Sequence, residues 1–341
     1  MNMANRSRRP AKEKALIVCS ESPYPFVVGG YERLIKDFQS HVFSDYDVYF
    51  LACNRDSLEE MHHYDVPVRS RGERAKILDQ DFAFAFFVHS DFDCGDPRLV
   101  SPLIDRIPSF CFTQFHPNPE IDDKRFRGIV THYTENHHDN VLKIGGSYNS
   151  DVFYKNRESE EFIICVARIH PVKNQLALVR DYREKIYNKH GIPLYLVGGS
   201  SEPDYYALVN EYVDGVSVLS TSDPASPMAP TSWRTSREIA ALCNRARLFV
   251  MPSEEESFSI ALIEALACGT TCVVNGTYYG FDADDLRPYV YGNITGRNGS
   301  IHDLIDEALS SDVRIDGSEW TKKYSLAEMQ KQLIGFIHER L

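Results

Sequence analysis

Glu256 and Glu264 stand with seven residues between them in the stretch from Pro252 to Gly269, directly after the apolar run 248–251. Carboxylates at that spacing could accept hydrogen bonds from the hydroxyls of a ligand. The apolar run has the character of a buried strand, and Pro252 ends it because proline cannot donate to a central ladder. The hydroxyl of Ser257 or Ser259 can cap a following helix by accepting from the free N–H groups of its first turn. Ile260, Leu262, Ile263, Leu266 and Ala267 fall near helical spacing, and Gly269 suits the position just past a helix end. Glu256 then sits at the positive end of a helix that opens at a strand's carboxyl end, where open α/β sheets bind ligands. Glu264 lies two turns further in, between apolar neighbours. A carboxylate there must reach solvent or find donors, and ribose hydroxyls would be such donors. Solvated glutamates on a surface helix are the commoner arrangement; the position between a strand and an Ala-Cys-Gly stop favours the ligand-facing one.

Two cations come next. Arg168 and Lys173 lie five residues apart where the strand expected at 162–166 meets a helix. Arginine can grip a diphosphate through two parallel N–H groups, and lysine adds a point charge. Solvated loop cations are the plain alternative. Gly29 and Gly30 follow the first strand and open the first helix, a place where backbone can approach a phosphate closely. An ordinary strand–helix turn would read the same way, and the pair is not a G-x-G-x-x-G dinucleotide fingerprint. His116, at the end of a strand in the first half, could hydrogen-bond a ligand in a cleft. Gly198 and Gly199 close another strand and suit either a tight turn or a nucleotide. Asp91 and Asp93 mimic a D-x-D metal motif, but they sit in what reads as an acidic surface loop.

These residues need elements to hold them. Strands are expected at 14–19, 47–52, 82–88, 109–115 and 128–132, with helices at 31–43, 58–63, 98–105 and 136–144. A polar stretch at 154–161 reads as a linker. A second series follows, with strands at 162–166, 194–197, 216–219, 248–251 and 271–274 and helices at 175–189, 204–212, 236–243, 258–267 and 301–309. Ser325 and Glu328 form a capping box for a last helix. Strands interleaved with helices imply parallel sheets covered on both faces. Two such domains leave a cleft between them.

The 341 residues suffice for two domains, and 43% apolar and 25% charged content describe a globular protein. A net charge of −12 argues against nucleic acid as a partner. No segment approaches the ~20 apolar residues of a membrane span. The cluster Arg6, Arg8, Arg9, Lys12 and Lys14 could assist contact with an anionic membrane, although a solvated tail is the better reading. Eight scattered cysteines without a C-x2-C pair fit a reducing, cytoplasmic setting.

The pattern resembles the retaining nucleotide-sugar glycosyltransferases, most closely glycosyltransferase family 4 with its Glu-x7-Glu signature. Gly29-Gly30-Tyr31-Glu32-Arg33 resembles the family's Gly-Gly-x-Glu-Arg element. The segment 166–174 resembles Gly-Arg-Leu-x-x-x-Lys-Asn, with Ala167 where glycine is usual. His116-Pro117-Asn118-Pro119 is similar to its His-x-x-Pro region, and 196–200 to its strand-end glycine segment. Ser257 and Ser259 depart from the pattern by replacing glycines.

That resemblance implies a GT-B fold: α/β, with two Rossmann-like doubly wound domains facing a central cleft. Residues 1–153 would form the acceptor-side domain, 154–161 the linker and 162–324 the donor domain. Residues 325–341 would be a helix able to return to the first domain. The implied activity is retaining, metal-independent transfer of a hexose-type sugar from a UDP- or GDP-linked donor to a glycan, lipid-linked or small-molecule acceptor, with no cofactor. Arg168, Lys173, Glu256 and His116 would carry the reaction. Gly29, Gly30, Gly198, Gly199, backbone groups of Ser257, Phe258 and Ser259, and Glu264 on the ribose would hold the donor. Two other readings stay open: a GT-B-fold nucleotide-sugar epimerase, and a catalytically silent nucleotide-sugar-binding partner.

Overall fold

The computed structural model describes residues 12–19, 30–52, 80–89, 103–113, 126–132, 139–156, 160–200, 202–214, 217–220, 235–311 and 313–341. Gly29, His116, the Asp91 and Asp93 pair and the helix expected at 58–63 lie outside the described residues.

Two six-stranded parallel sheets carry the fold. The first contains β1 (Lys14–Cys19), β2 (Asp47–Ala52), β3 (Phe84–His89), β4 (Ser109–Thr113), β5 (Gly128–Thr131) and β6 (Val141–Lys143), in the order β2-β1-β3-β4-β5-β6. The second contains β7 (Ile163–Val166), β8 (Leu194–Val197), β9 (Ser217–Ser220), β10 (Leu248–Met251), β12 (Thr271–Asn275) and β14 (Val290–Asn293), in the order β14-β12-β10-β7-β8-β9. Between them in sequence, β11 (Glu255–Glu256) and β13 (Thr277–Tyr278) form a separate two-stranded ladder. In the second sheet the order reverses between β7 and β10, whose register pairs Leu248 with Ile163 and Phe249 with Ile164. Such a reversal opens a crevice at the strands' carboxyl ends.

Period-two alternation places each strand's side chains on opposite faces. Ala15, Ile17 and Cys19 enter one apolar cluster with Phe38, Phe43, Phe86 and Phe112, while Leu16 and Val18 enter another with Leu103, Ile104 and Cys111. The second sheet divides likewise: Ile163, Cys165, Leu248 and Val250 face one cluster, and Ile164, Phe249 and Met251 the other. Both sheets are therefore buried on both faces, as their unbroken Val, Ile, Phe and Leu runs require.

Four elements differ from the sequence expectation. One is β14, which was not expected as a strand and extends the second sheet beside β12, with Cys272 opposite Val290. Residues 136–144 were expected as helix; Val141–Lys143 is instead a strand paired in parallel with β5, Ile129 opposite Val141. The segment extends the edge of the sheet, and that tertiary pairing overrides local propensity. The helix expected at 175–189 stops at Val179, because Arg180 is extended and Asp181 has φ 63°. The helix expected from Phe258 begins at Ile260, with Ser259 as its cap accepting from the Leu262 N–H.

The last helix, Leu326–His338, leaves the second sheet and covers the first. Its Met329, Leu333, Phe336 and Ile337 join the cluster of Phe38, Phe84 and Phe110. A Cβ on Gly128 would lie 2.4 Å from the Phe336 ring, so glycine permits the approach. Arg127 donates to the carbonyls of Arg340 and Leu341, both at 2.7 Å. The two chain crossings between the sheets run side by side. The Tyr148 N–H donates to the Tyr324 carbonyl, and the Leu326 N–H to the Tyr148 carbonyl.

Candidate functional site

The carboxyl ends of β7 and β10 bring two loops into one knot. After β10, Pro252 and Ser253 are buried and Glu254 turns the chain. Its N–H donates to the Val172 carbonyl at 3.1 Å, which ties this loop to the one after β7. Asn174 adds a second tie, its Nδ2 donating to the Pro252 carbonyl at 3.2 Å. Asn174 has φ 54°, a conformation asparagine adopts more readily than most residues. Before it, His170 caps the short turn Pro171–Lys173 by accepting from the Val172 N–H through Nδ1. Burial first, then the nearby Arg168 charge, hold the His170 pKa below its usual range. An Nδ1 lone pair is therefore available for that capping bond.

Lys173 reaches across to Glu256, with Nζ 2.6 Å from Oε1. The Ser253 hydroxyl donates to the same oxygen at 2.7 Å. Glu256 is only 7% exposed and Lys173 23%, so the pair is largely withdrawn from water. A buried carboxylate of this kind requires such partners. The backbone of Glu256 is fixed as well. It is in parallel register with Tyr278, and its carbonyl accepts from the Tyr279 N–H at 3.0 Å. Two glycines let these loops touch. A Cβ on Gly276 would stand 2.0 Å from the Ser253 carbonyl oxygen, and one on Gly280 would stand 2.4 Å from that of Ser257.

Arg168 leaves β7 beside this knot. It is exposed, and its guanidinium forms no ion pair among the described residues. Its carbonyl accepts from Gln175 Nε2 at 2.8 Å, which fixes the backbone from which the side chain extends. Gly198 and Gly199 lie against the same strand end. The Ile169 N–H donates to the Gly199 carbonyl at 2.7 Å, and a Cβ on Gly198 would meet the Ala167 oxygen at 1.9 Å. Glycine at 198 is thus already required by the close approach of two strand ends.

Glu264 lies on the helix that follows this knot. It is 2% exposed on the Ile260–Ala267 helix. Burial, then the charges of Cys268 and Glu264, push the Cys243 thiol up, which places Glu264 near the Ser236–Arg245 helix. Phe258 is also buried, and its ring belongs to the junction between the sheets. It stacks on Phe281 at 4.3 Å and lies 5.2 Å from the His132 ring and 5.5 Å from that of Tyr324. Only the backbone of Phe258 remains to border the knot. Ser257 is half-buried, and Ser259 is engaged as the helix cap.

The structure therefore joins Lys173 and Glu256 directly and sets Arg168, Gly198 and Gly199 beside them. Of the first-domain residues expected at the site, Gly30 begins the Gly30–Asp37 helix. Sequence reasoning placed Asn174 in the 166–174 element without assigning it a part of its own, and it missed Ser253, Gly276 and Tyr278. Ser253 directly follows the strand-ending proline, a position that could have drawn notice; the others act only through loops distant in sequence.

A family model described as glycosyl transferases group 1 matches residues 149–323. A D-inositol 3-phosphate glycosyltransferase of Segniliparus rotundus is 34% identical over 119 residues, covering 34% of this chain and 24% of that relative. The match thus spans about a quarter of the relative's length. Sucrose-phosphate synthase from Thermosynechococcus elongatus has a similar structure, with TM-score 0.68 at 14% identity over 96% of this chain and 98% of that one. A glycosyltransferase from Rickettsia africae gives TM-score 0.67 at 15% identity over 97% and 99%. Anabaena HepE, solved in complex with UDP, gives 0.63 at 12% over 96% and 100%. These likenesses show the GT-B fold of two Rossmann-like domains. With its matched stretch covering the second half of the chain, β7 to β14 included, the chain belongs to the glycosyl transferases group 1 family.

Proposed function

We propose that this protein is a retaining, metal-independent glycosyltransferase of the family 4 type. It moves a hexose-type sugar from a UDP- or GDP-linked donor to a glycan, lipid-linked or small-molecule acceptor. The observation that carries the reading is the meeting of Lys173 and Glu256 at the β7–β10 reversal of the second sheet, with Arg168 exposed on the loop that carries Lys173.

In the transfer, the bond from the anomeric carbon to the donor's phosphate oxygen breaks, and a bond to an acceptor hydroxyl oxygen forms on the same face. The acceptor's proton passes to the departing diphosphate. Negative charge grows on that leaving group, and Arg168, with no competing ion pair among the described residues, absorbs it in this reading. Lys173 has three N–H donors; one is committed to Glu256, and the others remain for phosphate oxygens. Glu256 accepts from a hydroxyl of the transferred sugar, and Glu264 from the ribose. His116, Gly29 and Gly30 complete the site from the first domain.

The test is incubation with UDP- and GDP-hexoses, alone and with candidate acceptors, in the presence of a chelator. Nucleotide release that requires an acceptor, with NMR showing the donor's anomeric configuration retained in the product, supports the reading. Acceptor-independent epimerisation, inverted product or loss of turnover on chelation overturns it.

A further inference from the structure

Both donors to Glu256 land on the same oxygen. Lys173 Nζ and Ser253 Oγ reach Oε1 at 2.6 and 2.7 Å, while Oε2 receives no hydrogen bond from any described residue. The terminal torsion of a glutamate is broad and roughly two-fold, so a single donor would leave the carboxylate free to rock. Two donors converging on one oxygen from different loops fix its plane.

Ser253 is suited to this task because its surroundings hold its backbone on every side. It is fully buried. Its neighbours on both sides are tied to the 172–174 turn, Pro252 through Asn174 and Glu254 through Val172. Its carbonyl faces Gly276 at a distance that excludes any side chain there. A hydroxyl has one proton to give, and Ser253 gives it to Glu256.

We propose that Ser253 is a positioning residue that, together with Lys173, anchors Oε1 of Glu256 and thereby presents Oε2 to a hydroxyl of the transferred sugar. This assignment rests on the reading of Glu256 as a sugar-contacting residue. It adds the identity of the contacting oxygen and of the residue that selects it. The consequence is specific: Ser253 serves recognition of the sugar and leaves the nucleotide half of the donor untouched.

The experiment compares wild-type protein with Ser253→Ala and Ser253→Cys. Titration calorimetry gives affinities for UDP, GDP, UDP-glucose and GDP-mannose, and turnover is followed with the conjugate that wild type uses. A lost hydrogen bond to a charged group predicts about tenfold weaker binding of that conjugate by Ser253→Ala, with bare nucleotide binding unchanged. Ser253→Cys, whose thiol is a weak donor in nearly the same volume, should fall between, and it carries the test should the alanine variant not fold. Equal weakening of nucleotide and conjugate would mean a structural role and overturn the proposal, as would unchanged conjugate affinity in both variants. Wild type that binds none of the four probes would overturn the donor-site reading itself, a result separable from any effect of the variants.

Discussion

Lys173 and Glu256, 83 residues apart in sequence, meet at 2.6 Å and join the carboxyl ends of the two strands that flank the sheet's reversal. The bond is at once a structural tie between loops and a neutralised pair of charges that a ligand would face. Lys173→Met leaves a carboxylate with 7% exposure short of its counter-charge. Because the lysine is partly open to water, the cost should be about 1–3 kcal/mol, below that of a fully enclosed pair. Urea denaturation of the single variants and of Lys173→Met with Glu256→Gln closes the cycle. The double variant should recover part of the loss.

Arg168 offers the opposite behaviour. Exposed and outside any ion pair among the described residues, it supports no packing that alanine would disturb. Arg168→Ala should therefore change stability by less than ~0.5 kcal/mol. The proposed role predicts a fall in kcat of roughly 10²- to 10³-fold. Stability measured beside steady-state kinetics checks both halves, and intact turnover would remove Arg168 from the reaction.

Phe258 follows Glu256 by two residues, yet its ring closes the junction between domains. A Cβ on Gly146 would stand 2.4 Å from that ring. Gly146→Ala should cost about 1–3 kcal/mol through overpacking. Adding Phe258→Leu, which removes the offending ring edge, should return part of it. Thermal unfolding of the single and double variants measures the coupling.

His132 lies in the same junction, fully enclosed, with Nδ1 2.8 Å from the Ile144 carbonyl. Burial lowers its pKa to about 4, against 6.5 unperturbed, and the bond to Ile144 opposes only part of that shift. Between those values the unfolded chain binds a proton that the folded protein refuses, so stability falls as pH drops from 6.5 toward 4 and rises as pH increases. From pH 7 to 4.5 the loss from this group is on the order of 2 kcal/mol. His132→Gln should flatten the stability–pH curve by that amount. Equal slopes for the two proteins would refute the account.

Much of this arrangement was legible in the residues themselves. Alternating apolar runs and helical spacing identified parallel sheets, and the strand-ending Pro252 with the Ser259 cap located the loop that holds Glu256. Val141–Lys143 was not legible as a strand, since a three-residue edge segment is defined by its partner and not by its own periodicity. The break at Asp181 was hidden because aspartate is tolerated both in a helix and in the left-handed region. Ser253 was read past for a different reason. Its importance lies in an oxygen three residues on and an ammonium eighty residues back, and no local pattern encodes that meeting.

The Leu326–His338 helix sets a timetable for synthesis. The sheet begun at Lys14 lacks part of one wall until Met329, Leu333, Phe336 and Ile337 emerge beside Phe38 and Phe43. At ordinary elongation rates the ribosome needs roughly 10 to 40 s to travel from Lys143 to Ile337. Throughout that interval Phe110 and Gly128 lack the Phe336 ring that covers them, although Phe43 and Tyr46 already pack on Phe84, so the half of the molecule made first is finished last.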